Sequence, residues 1–512
     1  MKTLPSPDAA AALLEKYAQG ERDFTNLKLN ECILSGKKLP GIILRGANLN
    51  VANLSNTNLS RGDLQQAVLN VSRLSGTNLS QANLQEAQLN VANLIRAIVV
   101  GANLSGASLI RAELLRADLS NANLTRTNFE EADLREARLR WADLTGANLS
   151  RCNLRTSSLV GANLSNIQAN SVNLEGANLN NATMAGVECR HANLRMTNLS
   201  SANLQGANLR WANLTGANLK DADLTDAKLS GADLTGAQLE GALLENTILV
   251  HADLSRANLR HARCVGADLS GATITGVQMQ GAIAYDIQTT EIICEWVDLS
   301  LVGDQSQRRY FNTGQDIHTF LNQRPAQVTL IIDGVMTLAA HAALAACFAQ
   351  VATVSPTLSR PPNIELTNRH TQLAFMADDQ VGLPALAYLA TLPFHDGATV
   401  QDVLSRLSHE GRTQSYRPFA LDEADRELHR VENTLKQRDL LPLQKLTHAD
   451  PFFDCPLQVK LVNAHGRPLE LYVNPQFGAR KLSGKNAPPP TDIDKLYQPS
   501  IESYLAFFRA GK

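Results

Sequence analysis

Leu49-Asn50-Val51-Ala52-Asn53-Leu54, Leu69-Asn70-Val71-Ser72-Arg73-Leu74 and Leu89-Asn90-Val91-Ala92-Asn93-Leu94 are near copies of one another, set twenty residues apart. Inside and beyond them an apolar residue, usually Leu, recurs at every fifth place. The beat runs from Leu29 to Leu299 as 55 successive centres without an insertion. Two places before each centre stands a small residue, usually Ala, so the register reads A-(N/D)-L-(S/T/x)-(G/x). The weak centres are Val99, Phe129, Ala169, Met184, Cys189 and Cys264, then Ile274 to Cys294, and Thr289 alone is plainly polar.

A period of five excludes the ordinary elements. On an α-helix five residues overshoot a full turn by about 140°, which scatters the Leu around the cylinder. On a straight strand an odd period alternates faces. Each unit must therefore turn a corner: Ala and Leu share one face of a short extended segment, and the Ser, Thr and Gly places supply the turn. Twenty residues hold four such units, which gives the coil four sides. With coils stacked about 4.8 Å apart, the expected rod has about 14 turns and is about 65 Å long.

Over residues 24 to 300 this register resembles the pentapeptide-repeat family. The resemblance implies a right-handed quadrilateral β-helix with the central Leu and the preceding Ala inside. Some members of that family imitate DNA and inhibit type II topoisomerases, which requires a strongly acidic rod. Residues 24 to 300 hold 24 Asp and Glu against 23 Lys and Arg, so this rod is not expected to copy a phosphate backbone.

The rest of the composition points the same way. Aromatics are 5% of the 512 residues and the formal charge is −2; a core of stacked Leu and Ala fits, and attraction to nucleic acid or anionic lipid does not. No basic-then-apolar leader opens the chain and no run of 18 apolar residues occurs, so the expectation is a cytoplasmic protein without a membrane span. None of the seven Cys is paired at CxxC spacing. Cys189, Cys264 and Cys294 fall at Leu places and Cys32 and Cys152 at Ala places, as small buried hydrophobes; no metal and no cofactor is expected.

One coil cannot stand alone. Burying a Leu is worth about 1.5 to 3 kcal/mol, while ordering five backbone units costs about 5 to 10, so coils depend on their neighbours and both ends need covers. Residues 1 to 23 read as an N-terminal capping helix, with Ser6 as N-cap, Pro7 at the first helical position and Gly20 as the stop. The other end fades from Ile274 to Cys294.

Side chains twenty apart should form columns, with Arg111, Glu131 and Arg151 in one and Arg135, Arg155, Glu175 and Arg195 in another. Trp141 and Trp211 recur in Arg-Trp-Ala-(Asp/Asn)-Leu-Thr-Gly-Ala-Asn-Leu, two places past a centre and three and a half turns apart, hence on opposite sides. These Trp and Arg residues are the candidate contacts for a protein partner; the arginines also read as plain surface ion-pair ladders.

From about Gly303 the beat is lost, and residues 301 to 512 read as a separate α+β domain. Helices are expected over Gln315 to Asn322, Val335 to Val351, Pro384 to Leu392, Val400 to Leu407, Leu421 to Gln437 and Ile501 to Arg509. A strand is expected over Gln327 to Ile332, with hairpins Asn363 to Asn368 with Gln372 to Met376 and Gln458 to Val462 with Leu469 to Val473, the latter around His465-Gly466. Arg480 to Asp492, with Lys481, Lys485 and three Pro, reads as a loop. Asp333 after an apolar strand, with His341, His370, His395, Asp378 and Asp379, is the one constellation suited to chemistry, but no phosphate loop, GxSxG or HExxH accompanies it.

The expected function is a non-enzymatic bacterial scaffold or adaptor whose rod is spacer and docking face, with its protein partner unnamed and homo-oligomers open. The alternative is an enzyme or ligand-binding module in the C-terminal domain. It requires Asp333 and two of the His side chains to line one pocket.

Overall fold

In the computed structural model, which describes residues 7–322, 326–352, 361–377, 380–412, 418–436, 450–464, 466–478 and 499–509, the five-residue beat is a hydrogen-bonding rule. Leu104 N–H donates to Asn123 O of the next coil (2.8 Å) and Gly106 N–H to Thr125 O (2.9 Å). Ala107 N–H closes the turn onto Leu104 O, and Ser108 N–H reaches back to Ala87 O, both at 2.9 Å. The fifth donor, Ser105 N–H, finds the side-chain oxygen of Asn103 at 3.1 Å. This accounts for Asn or Asp before so many centres: its oxygen satisfies the one backbone donor that the coils leave over.

Val68, Gln88 and Ser108 precede their centres without an Asn or Asp oxygen. There Asn50, Asn70 and Asn90, stacked one coil apart, take over. Asn70 N–H donates to Asn50 Oδ1 (3.0 Å), Asn90 N–H to Asn70 Oδ1 (2.9 Å) and Ile110 N–H to Asn90 Oδ1 (3.0 Å). Parallel bridges from Asp23↔Ile43 to Gln278↔Asp298 all join residues twenty apart. Leu104, Leu124 and Leu144 therefore stand on successive coils, and all three are buried. The residue two past a centre turns each corner in the left-handed region, as at Arg61 (φ 57°) and Trp141 (φ 59°).

Helix α1 (Pro7–Ala18) covers the first coil. Its Ala10 and Leu13 are buried in the same apolar cluster as Phe24 and Leu29, and Tyr17 OH donates to Pro40 O at 2.8 Å. Ser6, the expected cap, lies outside the described residues. At the far end strands β1 (Trp296–Asp298) and β2 (Arg308–Tyr310) form a hairpin, and α2 (Gly314–Leu321) follows behind a Thr313–Asp316 capping box.

The two compact units divide between Asn322 and Gln323, later than the 300/301 boundary read from the fading beat. The reason is visible in α2: Ile317 and Leu321 are buried in the rod's own core. The polar centre Thr289 meets His318 (Oγ1 to Nδ1, 2.8 Å), while Asn322 receives Ile287 N–H (2.7 Å) and donates to Ile287 O (3.0 Å). The segment that ends the repeat is the cover of the rod.

The C-terminal unit is an antiparallel sheet of order β4-β5-β3-β6-β7. Its strands are β3 (Ala326–Ile332), β4 (Asn363–Leu366), β5 (Thr371–Ala377), β6 (Leu457–Val462) and β7 (Pro468–Val473). Its helices are α3 (Leu338–Ala352), α4 (Leu383–Thr391), α5 (Gly397–Arg412), α6 (Phe419–Lys436) and α7 (Ile501–Arg509). Alternate residues Val328, Leu330, Ile332, Leu373, Phe375, Val459 and Leu461 are buried, with α4 packed on β3, β5 and β6 and itself flanked by α5 and α6. The expected hairpins are present, and β3 is inserted between them. Asp396 ties the sheet's end: it accepts Leu457 N–H (2.9 Å) and both its oxygens hold Asn474 Nδ2. Among the described residues no helix is long and apolar enough to cross a membrane.

Candidate functional site

A left-handed corner throws its side chain outward, so the corners decide what the rod shows to solvent. Trp141 and Trp211 occupy two of them, at φ 59° and 57°, and remain 57% and 54% exposed. Each indole leans over a glycine of the next coil. Trp141 lies on Gly161, and at Gly231 a Cβ would come within 2.7 Å of Trp211 Cδ1. The positive φ (67° at Gly231) favours glycine there, and the ring above it leaves no room for a Cβ. Trp211 is also stacked from below by His191, with ring centroids 5.0 Å apart and planes 7° from parallel. The sequence reading missed His191 and the two glycines; the signal was their spacing of twenty from a Trp.

The arginines stand in their columns. Glu131 accepts from Arg111 Nε (2.6 Å) and Arg151 Nε (3.0 Å), and Arg151 also pairs with Glu130. Glu175 lies between Arg155 (3.4 Å) and Arg195 (3.2 Å), and Glu240 between Lys220 (3.5 Å) and Arg260 (2.9 Å). Arg135 turns aside instead and pairs with Asp133 at 2.6 Å. The hydrogen bond from Arg111 holds the Glu131 carboxyl below its ordinary value. These groups are well solvated, so the ladders add little to stability and leave guanidinium donors facing solvent.

In the C-terminal unit Asp333 meets one histidine. Its Oδ1 is 3.2 Å from His370 Nδ1, its Oδ2 accepts Gly478 N–H at 2.8 Å, and Arg369 Nε is 3.8 Å away. His370 in turn stacks on Phe477 (5.5 Å, 11°). The arrangement ties the ends of β3 and β5 to the turn after β7. His341 lines a different, apolar groove of about 220 Å³ with Leu344, Phe348, Pro361 and Ile364, and the exposed His395 sits 4.0 Å from Asp396. The two-histidine pocket that the enzyme alternative requires is therefore not formed among the described residues. Asp378, Asp379, His465 and the stretch Arg480 to Asp492 lie outside them.

Burial pushes the thiol of Cys32 up to about 11 and those of Cys152 and Cys189 up to about 12, so these cysteines are protonated fillers without nucleophilic character at neutral pH. Among the described residues no group of His, Cys, Asp and Glu is placed to hold a metal ion.

The family model for pentapeptide repeats matches in eight copies, over residues 39–70, 72–111, 112–151, 147–186, 184–221, 202–241, 237–276 and 252–283. Among solved structures the chain is similar to HetL, a pentapeptide repeat protein involved in heterocyst differentiation regulation from the cyanobacterium Nostoc sp. strain PCC 7120. The identity is 30%, covering 56% of this chain and 96% of HetL with a TM-score of 0.16. It is also similar to Rfr23 from the cyanobacterium Cyanothece 51142, at 30% identity over 21% of this chain and 86% of that one, with a TM-score of 0.21. QnrB1, a plasmid-mediated fluoroquinolone resistance protein, matches at 18% identity over 40% of this chain and 87% of its own, with a TM-score of 0.19. No curated protein sequence matches the chain. With the family's repeat matched eight times along the stretch whose bridges run twenty residues apart, the chain belongs to the pentapeptide-repeat family.

Proposed function

We propose that the chain is a protein-interaction scaffold of the bacterial cytoplasm. In this reading the rod is a right-handed quadrilateral β-helix of about 14 turns, which serves as rigid spacer and docking face and catalyses nothing. The observation that carries it is the pair Trp141 and Trp211, two indoles more than half exposed on fixed corners of the rod. Other apolar side chains of the rod, Val51, Val71, Val91 and Met196 among them, are also exposed, but large aromatics anchor protein partners out of proportion to their area. Arg111, Arg151, Arg135, Arg155 and Arg195 supply a polar rim of fork-shaped donors. The two Trp, three and a half coils apart, face opposite sides, which suits bridging two partners. A rod with 24 acidic and 23 basic residues offers neither a phosphate mimic nor a phosphate binder.

The test is affinity capture with chemical cross-linking on the tagged full-length chain and its Trp141→Ser and Trp211→Ser variants, each first shown to melt as the parent does. Each variant should lose a different protein at least tenfold; identical recoveries from all three chains would sink the proposal. Among the described residues the Asp333–His370 pair favours a ligand site in the C-terminal unit, and with Asp333 already tethered to Gly478 this reading ranks second.

A further inference from the structure

One corner column differs from the rest. Glu31, Val51, Val71, Val91 and Arg111 occupy the same corner of five successive coils, at φ 58°, 58°, 60°, 58° and 56°. Among the described residues these are the only valines in the left-handed region, where a β-branched side chain is most strained. They are also 52%, 53% and 53% exposed. Neither the fold nor the solvent asks for valine here; Gly and Asn hold the same turn position elsewhere, as at Gly206 and Asn121.

The charges that flank the three valines are opposite, and they are equidistant from Val71, two coils either way; beyond Arg111 the column continues with Glu131 and Arg151. We infer that this stripe is the docking surface for a second copy of the chain, laid antiparallel across a two-fold axis level with Val71. The symmetry sets Val71 against its own copy, Val51 against the other copy's Val91, and Glu31 against the other copy's Arg111. A self-complementary patch of this kind is what a two-fold interface requires. Val68, on the strand that enters the corner, also meets its copy, with Asn48 opposite Gln88. Arg73, on the strand that leaves the corner, faces its own copy as well, a like-charge contact that keeps the pairing weak. Glu31 makes no ion pair among the described residues, and Arg111, bonded to Glu131 through Nε, keeps a 67% exposed side chain. A stripe of five coils is only about 20 Å long, short of the area of a permanent dimer. The association is weak, concentration-dependent and weakened by salt. Trp141 stands on a different corner, and Trp211, on this same corner column, lies five coils beyond Arg111 and outside the paired stripe.

Sedimentation velocity of the full-length chain from micromolar to near-millimolar concentration tests this. The parent should shift from monomer toward dimer, and Trp141→Ser and Trp211→Ser should leave the shift unchanged. Glu31→Arg and Arg111→Glu should each weaken pairing at least tenfold. Mixed in equal amounts they should pair again, because every end contact between the two variants is then oppositely charged. Val51→Asn/Val71→Asn/Val91→Asn should abolish pairing while the melting temperature stays level or rises, since Asn tolerates the left-handed turn. A parent that stays monomeric throughout overturns the inference. So does a dimer that survives the triple Asn substitution, or a mixture of well-folded charge variants that fails to pair.

Discussion

The rod and the C-terminal unit contain the same kinds of side chain and use them in opposite ways. In the rod each Leu, Asn or corner residue finds its partner twenty residues away. The same contact is repeated dozens of times, so no single one is decisive. In the C-terminal unit β3 pairs on one side with β5 and on the other with β6, so that Ile332 opposes both Thr371 and Leu457. There each contact occurs once and joins distant parts of the chain. The difference teaches that a repeat distributes its stability along an axis, whereas an ordinary sheet concentrates it at a central strand.

The largest test of that contrast is a cavity in each core. Leu124→Ala and Leu330→Ala both delete a buried side chain, at about 2–5 kcal/mol each. Hydrogen exchange should distinguish them. Leu124→Ala should raise exchange in the coils beside it and leave remote coils protected, while Leu330→Ala should raise it across all five strands. Uniform loosening of the whole rod by Leu124→Ala would break the comparison.

Asparagine sharpens it at smaller scale. Asn463 is fully buried, donates to Phe507 O (3.1 Å) and accepts Arg467 N–H (3.0 Å); Asn463→Ala should cost about 1–3 kcal/mol by stranding both. Asn103→Ala strands Ser105 N–H and removes a 3.3 Å donor from Asn83 Oδ1, which still accepts Gln85 N–H; both sites are near solvent, and the change should cost about 1 kcal/mol or less. Urea denaturation of the two variants checks the order.

This contrast also explains what could be read in advance. The rod was legible because period, register and burial are one fact repeated: the places of Leu104 and Leu124 dictate those of their neighbours. In the C-terminal unit local periodicity gave the helices and both hairpins, yet nothing near β3 in sequence says that it separates them, since that depends on pairing Leu330 with both Leu373 and Val459. The cover of the rod was missed for a related reason. The fading beat reads as the end of the rod, while Thr289 gains its sense from His318, which follows the hairpin. The corners were legible as positions and not as surroundings: Trp211 was expected at a corner, but its seat between His191 and Gly231 needed the columns to be seen.

Those columns supply a third test within the rod itself. Gly206→Ala places a methyl group in open space at φ 64° and should cost about 1–2 kcal/mol of left-handed strain. Gly231→Ala carries the same strain and must also displace the Trp211 indole. Its additional cost should be about 1 kcal/mol or less, with a shift in tryptophan emission that Gly206→Ala does not produce. Equal melting temperatures with unchanged emission would mean that the ring does not rest on Gly231.

The smallest effect at neutral pH is the most diagnostic, because the two units should fail at opposite ends of the pH scale. Arg111 and Arg116 donate to Glu131 and Glu136 and hold both carboxyls below their ordinary value. A group whose value is depressed on folding contributes stability above its unfolded value and loses it as pH falls through the folded one. The rod's ladders therefore weaken from about pH 4 downward, and Glu131→Gln/Glu136→Gln should flatten that acid slope slightly while barely moving the melting temperature at pH 7. In the C-terminal unit Tyr472 is 2% exposed, and burial, then the Asp396 charge, raise its phenol well above the usual range. A raised value works in the reverse sense: its contribution is complete below about pH 10 and is lost as pH rises beyond that. Thermal unfolding followed from pH 3 to pH 11 by hydrogen exchange should show the coils opening first in acid and the sheet first in base, with Tyr472→Phe removing part of the alkaline loss. If both units weaken together at each end, the units are energetically coupled and the contrast between them fails.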